Sequence, residues 1–331
     1  MKSVYLLLPI ILQLYCSVAV PPCKTPDPAC DPLSAYLTYG LLLTDRWIAV
    51  GVNGNIAESP SGQADWNSFV VPGTTLRAVA YGSPGFVAVG DTGRILLSPT
   101  GINGDWTDQT SGTSNELTDV TYGNGIYVIV GGIVGTTATI LTSLDGVNWT
   151  DRSIGLGNRL DHVLFANNQF YAVGQGGVRA TSLDGIIWIN ANAGPNPWAG
   201  LAFGNGIFLI ADDASNIHTS ATFAGFPNPT GSFTSAVTDA VIFVPERGFF
   251  FLAGDGGETF TTTNGIGAAT QGGIIGTVAY EVATNGFSIS IASQGGSIQY
   301  STDFSNFSPA VVGANDWFGI TYARAPKILG P

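Results

Sequence analysis

Basic residues are scarce in this sequence. The chain of 331 residues has 11 Lys and Arg against 23 Asp and Glu, which gives a formal net charge of -12 at pH 7. Nucleic acid and anionic membranes are bound through clustered Lys and Arg, so neither is expected as a partner. The two histidines and three cysteines are too few and too scattered to indicate a metal centre.

Long apolar runs are absent after the N-terminus. Turn residues interrupt the apolar residues about every five to eight positions, whereas a membrane-spanning helix needs about 20 in succession. The mean hydropathy of +0.27 therefore does not indicate a membrane protein. A nucleophile elbow, a catalytic Cys–His pair and a dinucleotide-binding fingerprint are also missing.

The N-terminus has the pattern of an export signal. Lys2 precedes the apolar residues 4–14, and residues 17–19 are small. This order predicts a signal peptide at residues 1–19 and a secreted protein. The alternative is a cell-surface or outer-membrane lipoprotein anchored through Cys16, for which the preceding Tyr15 is a poor fit.

Residues 20–34 form a proline-rich segment that contains two closely spaced cysteines, Cys23 and Cys30. In an exported chain this spacing predicts a small disulfide loop. A metal pair is the alternative, although no further cysteine supports it. The prolines are expected to make this segment a stiff stalk. No cofactor is expected for the protein.

Residues 35–331 consist of a repeated phrase. Each copy has an apolar strand ending in Tyr or Phe, a Gly-rich turn, a second apolar strand, a Thr/Ser-rich strand and an aromatic residue. The ends of the second strands recur every 38 to 43 residues. A period near 40 with about four short strands per unit is typical of a β-propeller. The 45 glycines suit the many tight turns of such a fold.

We predict an all-β domain with seven four-stranded blades, while six or eight stay open. The inner strands are expected at residues 76–81, 117–122, 160–165, 198–203, 239–243 and 276–280. The last second strand is expected at 287–291, and the fifth outer strand near Phe233. Pairing of the chain ends removes exposed sheet edges, so residues 317–323 are expected to complete the first blade; residues 35–40 compete for that place.

The turn before the outer strand carries the sharpest local motif. Its two cleanest copies are Ser143, Asp145, Gly146 and Trp149, and Ser182, Asp184, Gly185 and Trp188. Asp accepts hydrogen bonds from amides two or three residues on, and Gly takes the left-handed position. The Trp is expected to fill the gap between blades. We therefore interpret these residues as structural turns.

These turns resemble the Asp-box of sialidase-type propellers, and the repeats are similar to those of photosystem II assembly-factor propellers. The resemblance covers residues 35–323. In the sialidase family a cluster of three arginines, a Tyr/Glu nucleophile pair and an acidic Asp perform hydrolysis. This sequence shows no three arginines at equivalent inner-strand positions. A glycan-processing hydrolase is therefore the alternative, and no catalytic residue is assigned.

The expected function is binding of a protein or glycan at the loop face around the axis, by a monomer. Variable loops on a rigid scaffold tend to carry recognition residues. The ligand-binding candidates are Trp198, Trp317, Asp161, His162, Arg179, Asp212 and Asp213. The adjacent acids Asp212 and Asp213 are poor evidence for Ca²⁺, which needs six or more oxygen ligands. A structural cell-envelope component is a further alternative.

Overall fold

The computed structural model describes residues 43–191, 197–223, 225–226, 229–232, 240–265 and 270–326. The predicted signal peptide, the segment 20–34 with Cys23 and Cys30, Cys16 and residues 35–40 lie outside them. The chain divides into two compact units, Asp45–Ala323 and a second made of Met1–Thr44 with Arg324–Pro331. In the second unit, residues 43–44 and 324–326 are described and are extended. The repeats belong to the unit Asp45–Ala323.

The described residues form 28 strands in seven four-stranded antiparallel sheets, each a blade. The inner strands of blades 1 to 7 are β28 (Trp317–Pro326), β4 (Leu76–Gly82), β8 (Glu116–Gly123), β12 (Leu160–Ala166), β16 (Trp198–Gly204), β20 (Ala240–Val244) and β24 (Ala279–Thr284). The second strands are β1 (Leu43–Gly51), β5 (Gly85–Gly90), β9 (Ile126–Ile133), β13 (Gln169–Gly174), β17 (Ile207–Asp212), β21 (Phe249–Ala253) and β25 (Ile289–Ser293).

The third strands are β2 (Asn55–Ser59), β6 (Ile95–Ser98), β10 (Thr137–Ser143), β14 (Arg179–Ser182), β18 (Asn216–Ser220), β22 (Glu258–Thr262) and β26 (Ser297–Ser301). The outer strands are β3 (Asn67–Val70), β7 (Thr107–Gln109), β11 (Thr150–Asp151), β15 (Ile189–Asn190), β19 (Gly231–Ser232), β23 (Thr270–Ile274) and β27 (Ser308–Val311). The prediction of a seven-bladed β-propeller is confirmed.

The ring closes as the sequence predicts. In the first blade the strand order is β28-β1-β2-β3, so the last strand of the chain is the inner strand beside β1. Trp317 is 1% exposed and packs in one apolar cluster with Trp47 of β1 and Ile320. The exposed edge that β1 would otherwise present is therefore covered.

The second strands form the core between neighbouring blades. Every residue of β5 and of β25 is buried. A strand covered on both faces loses the alternation of apolar and polar residues. The continuous apolar runs of the sequence follow from this burial.

Three inner strands, β8, β12 and β20, also pack an aromatic ring near their end on a glycine of the preceding blade. A Cβ added to Gly123 would lie 2.1 Å from the ring of Phe165, and one added to Gly204 would lie 2.0 Å from the ring of Phe243. Glycine is therefore required where the next blade's ring covers the end of the strand. The recurring aromatic–Gly pair of the sequence is an interblade contact.

Two strand predictions need correction. The inner strand of the seventh blade is Ala279–Thr284, not 276–280, because Gly276 is in the left-handed region with φ 71°. Its second strand starts at Ile289, since Phe287 lies in the preceding turn and is 72% exposed. The fifth outer strand is described as Gly231–Ser232, and Phe233, near which it was expected to start, lies outside the described residues.

In an antiparallel blade the two ends of the strands carry different loops. The entry face is the end at which the inner strands begin; it carries the turns between second and third strands and the connections between blades. The turn face is the opposite end, with the turns between third and outer strands. These two names are kept below.

Candidate functional site

The site is built by bulges in the inner strands. Among the described residues, five inner strands shift register near their start, at Leu76/Ala78, Leu117/Asp119, Leu160/His162, Trp198/Gly200 and Ala279/Glu281. A bulge breaks the alternation of side chains and re-aims them. Both residues at such a shift can therefore face the axis, and they do so at Thr118 and Asp119, Asp161 and His162, and Tyr280 and Glu281.

These side chains line an axial cavity of ≈ 640 Å³. Inner strands of all seven blades contribute to its wall, as shown by Phe318, Arg77, Asp119, His162, Trp198, Val241 and Tyr280. The volume lies within the range of ligand-binding clefts in proteins. It is the natural place for a binding site.

An ionic arc surrounds part of the cavity mouth on the entry face. It consists of Asp91, Arg77, Glu116, Arg159, Asp161 and Gln175. Arg77 Nε donates to Asp91 Oδ1 at 2.6 Å and forms an ion pair with Glu116 Oε1, also at 2.6 Å. Arg159 joins Glu116 Oε2 at 2.9 Å and Asp161 Oδ1 at 2.6 Å, and Gln175 Nε2 donates to Asp161 Oδ2 at 2.6 Å. Blades 2, 3 and 4 are linked by this network, and both of its arginines are engaged.

Two carboxylates, Asp119 and Glu281, lie at the same register position of blades 3 and 7. Asp119 Oδ2 accepts the Val163 amide at 2.8 Å, and Glu281 Oε2 accepts the Ile320 amide at 3.0 Å. In both cases the donor is on the inner strand of the next blade. Each carboxylate therefore ties two blades together while it lines the cavity.

Burial dominates the acidity of this pair. It raises the pKa of Asp119 to about 6, against lowering by the nearby His162 and by two backbone amides. Burial also raises the pKa of Glu281 well above its ordinary value, and the charge of Asp119 raises it further. Two carboxyl groups that oppose each other's ionisation release their protons in a coupled manner. At least one carboxyl group in the cavity therefore ionises less readily than an ordinary carboxyl group.

His162 and Asp161 occupy the bulge of the fourth inner strand. His162 Nδ1 lies 4.0 Å from Asp119 Oδ2, which is the outer limit of an ion pair. Asp161 is held in the ionic arc by Arg159 and Gln175. Both residues line the cavity, so the structure brings these two candidates together.

Aromatic rings form the opposite part of the mouth. Tyr280 and Phe318 lie 4.8 Å apart between ring centroids. The Arg77 guanidinium carbon lies 5.8 Å from the centroid of Phe318, within cation–π range. Trp198 also lines the cavity, but it is 3% exposed and its indole N–H donates to Gly177 O at 3.0 Å. The mouth is therefore ionic on one side and aromatic on the other.

The remaining candidates lie apart from the cavity, except for Asp213. Trp317 is buried in the closing blade. Arg179 is 5% exposed, donates to Phe223 O and stacks 5.2 Å from the ring of Phe226; burial lowers its pKa.

Asp212 is fully buried and accepts from the Ala214 and Asn216 amides, so its oxygens close the turn. Asp213 is exposed and lines the mouth.

The Ser-x-Asp-Gly turns are on the turn face, away from the cavity. Asp145 Oδ1 accepts the Val147 and Asn148 amides at 2.9 and 2.8 Å, and these bonds lower its pKa. Gly146 has φ 73°, and its oxygen accepts the Trp149 indole N–H at 3.1 Å.

The second copy has the same geometry. Asp184 accepts the amides of Ile186 and Ile187 at 2.8 and 2.9 Å, and the Trp188 indole donates to Gly185 O at 2.8 Å. The hydroxyl of Ser182 lies 3.0 Å from Asp184 Oδ1, as Ser143 does from Asp145. All hydrogen bonds of these aspartates are local, which accords with the interpretation as turns.

Sequence reasoning missed most of the site. Arg77, Glu116, Asp119, Arg159 and Glu281 are absent from the candidates, although all of them line the cavity. A signal existed, because these polar residues stand at or just before the first positions of otherwise apolar inner strands. An alignment of the inner strands by bulge position would have found them, but the bulges are not visible as a sequence motif.

Two further classes of site find no support in the described residues. No group of three or more His, Cys, Asp or Glu among them is arranged to hold a metal ion. No helix in the described part of the chain is long and apolar enough to cross a membrane.

Comparison with known proteins establishes the fold but no family. No family model matches the sequence, and no curated protein matches it. Among solved structures, YCF48 from Cyanidioschyzon merolae has a TM-score of 0.56 at 16% identity, over 72% of this chain and 87% of that chain. YCF48 bound to D1 peptide has a TM-score of 0.59 at 15% identity, over 76% and 91%.

The WD40 propeller domain of Doa1 has a TM-score of 0.61 at 13% identity, over 80% of this chain and 88% of that chain. All three are β-propellers, and the likeness to YCF48 agrees with the predicted similarity to photosystem II assembly-factor propellers. None of these three structures is of a sialidase.

Proposed function

We propose that the protein is a secreted or surface-exposed β-propeller that binds a protein partner at its entry face and performs no catalysis. The observation that carries this proposal is the axial cavity, whose mouth combines the ionic arc with the aromatic side chains of Tyr280 and Phe318. A mixed polar and aromatic concave surface on a rigid scaffold is suited to recognition.

Two similarities support a protein rather than another partner. YCF48 is a propeller of the same fold whose structure contains a D1 peptide. The similar domain of Doa1 is also a β-propeller, of the WD40 type. The export pattern of residues 1–19 supports the secreted location.

The state of the polar groups supports binding over hydrolysis. Arg77 and Arg159 are ion-paired with Asp91, Glu116 and Asp161, which argues against their use as a clamp for a substrate carboxylate. Asp119 and Glu281 each accept a backbone amide of the next blade. These hydrogen bonds between blades explain why the two carboxylates occupy their positions, without a catalytic role.

The test is selection of a random heptapeptide phage library on the immobilised protein. Ala199 is the bulge residue of β16, lines the cavity and is 8% exposed, so Ala199→Trp should block the mouth. Thr302→Trp places the same side chain at an exposed position of the turn face and is the control. Enriched peptides should bind Ala199→Trp about tenfold more weakly and Thr302→Trp as well as wild type. Equal binding to all three proteins would refute an entry-face site.

A glycan-processing hydrolase is the second candidate. Tyr280 and Glu281 line the cavity together, and the pKa of Glu281 is raised, as in a general acid. Purified protein is incubated with a panel of fluorogenic glycosides at pH 5 and pH 7. Release of the fluorophore by wild type and its loss in Glu281→Gln would establish the hydrolase; no release above the buffer rate favours binding alone.

A further inference from the structure

The cavity contains three carboxylates without a Lys or Arg partner among the described residues. Among the described residues, no Lys or Arg forms an ion pair with Asp119, Glu281 or Asp213, whereas Glu116 and Asp161 are paired in the ionic arc. His162 lies 4.0 Å from Asp119, at the outer limit of an ion pair. Asp119 and Glu281 are half-buried, and half-buried carboxylates without a close counterion favour either protonation or the arrival of a cation.

The lining as a whole has an excess of negative charge. It includes five carboxylates, of Glu116, Asp119, Asp161, Asp213 and Glu281, against the two guanidinium groups of Arg77 and Arg159. The chain itself carries a net charge of -12, which adds to the attraction of a positive group. An acidic ligand would be repelled from the same cavity.

The aromatic side of the mouth complements a long basic side chain. Tyr280 and Phe318 present ring surface beside Glu281. The aliphatic stem of Lys or Arg packs on such rings while its charged end reaches a carboxylate. The cavity of ≈ 640 Å³ has room for a side chain of this size together with part of its backbone.

We propose that the axial cavity binds a Lys or Arg side chain of an extended segment of the protein partner, with the cationic group against Asp119 and Glu281. This proposal rests on the function proposed above and adds the chemistry of the partner. The segment is basic, and the ionic arc positions its backbone at the mouth.

Binding of a cation should displace protons from the cavity. The cation favours the ionised carboxylates, whose pKa values are raised in the free protein. Affinity for a basic segment should therefore increase as the pH rises from 5 to 7.5. His162 and the arginines Arg77 and Arg159 also face this space.

The probe is the most enriched heptapeptide from the phage selection, labelled with fluorescein. A second version carries norleucine in place of Lys, or citrulline in place of Arg, and so has the same shape without the charge. Both are titrated by fluorescence anisotropy against wild type, Asp119→Asn/Glu281→Gln and the control Glu246→Gln. Glu246 is exposed on the turn face, so its variant reports the effect of net charge alone.

The expected result is a basic residue in the selected sequence and about tenfold weaker binding of the neutral version. The double variant should weaken binding of the basic peptide about tenfold, leave binding of the neutral peptide unchanged and reduce the pH dependence. Glu246→Gln should stay within about twofold of wild type. Wild type alone already tests the pH dependence if the double variant does not fold.

Three results would overturn the inference. The first is a selected peptide that depends on the open mouth but has no basic residue, which leaves the binding function standing. The second is a basic peptide that binds the double variant as well as wild type. The third is the absence of any peptide that Ala199→Trp blocks, which overturns the proposed function as well.

Discussion

At the scale of single residues, the bulge decides what a polar side chain does. Asp119 and Glu281 would be isolated polar residues in apolar strands if the strands were regular. The bulge turns them to the axis, where each accepts an amide of the next blade. The hydrogen bond only partly offsets the cost of burying the charge, since the pKa of both groups is raised.

The first prediction concerns Asp119→Asn. The pKa of Asp119 is about 6 in the folded protein and near ~3.9 when unfolded. The protonated Asp119 side chain contributes to the stability of the folded protein. This contribution is complete below the pKa that Asp119 has in the unfolded chain, and it is lost as the pH rises through the folded value of about 6. Asn keeps an acceptor for Val163 and cannot ionise. The free energy of unfolding of the variant should match wild type near pH 4 and exceed it by about 3 kcal/mol at pH 7.5.

Urea titrations of both proteins at the two pH values measure this difference. Most other titrating groups cancel in the comparison, but Glu281 does not, because the charge of Asp119 raises its pKa. Removal of that charge relieves Glu281 and adds to the gain of the variant at pH 7.5. A difference in the free energy of unfolding between variant and wild type that does not change with pH would contradict the assignment of a raised pKa to Asp119.

At the scale of elements, the contact between an aromatic ring and a glycine fixes how neighbouring blades pack. The ring of Phe165 in β12 covers Gly123 at the end of β8. The ring of Phe243 covers Gly204 in the same way, two blades further on. The contact also recurs between Gly82 and Tyr122, so three pairs of neighbouring blades pack in the same way.

The second prediction uses two glycines that differ only in their surroundings. Neither Gly123 nor Gly155 has a φ in the left-handed region, and a Cβ at Gly155 would meet nothing within 4 Å. Gly123→Ala should lower the free energy of unfolding by about 1–3 kcal/mol through overpacking. Gly155→Ala should be neutral or slightly stabilising, because it restricts the unfolded chain.

Thermal and urea unfolding of the two variants check this prediction. The double variant Gly123→Ala/Phe165→Leu tests the cause, since a smaller partner should recover part of the loss. An equal effect of Gly123→Ala and Gly155→Ala would show that the ring contact is not what requires glycine.

At the scale of the whole molecule, the closing strand couples the two ends of the repeat array. β28 is supplied by the end of the chain and lies beside β1 in the first blade. Without it, the first blade would have three strands and an exposed edge next to the cavity. Closure also brings Phe318 and Ile320 to the wall of the axial cavity, so the site depends on it.

The third prediction is that a chain ending at residue 315 loses the closed ring. The open edge of β1 should lower the unfolding midpoint and promote association, which size-exclusion chromatography and urea titration measure. Addition of a synthetic peptide of residues 315–326 should restore the monomer and its midpoint. A truncated chain as stable and monomeric as wild type would contradict the role of β28 in closure.

The sequence alone predicted the repeat architecture and the buried second strands. It favoured seven blades closed by residues 317–323, while six or eight blades and closure by residues 35–40 stayed open until the structure was known. Those features depend on local patterns that recur about every 40 residues, and a recurring pattern corrects errors in any one copy. Where a copy departs from the pattern, as at Gly276 and Phe287, the strand bounds were wrong.

The tertiary structure decided the contents of the cavity. Asp119, His162 and Glu281 come from blades 3, 4 and 7, and they converge only because bulges and ring closure bring their strands to one axis. A bulge depends on the pairing of two strands rather than on a local residue pattern. The repeats therefore predict the architecture, but the residues of the site can be identified only in the closed ring.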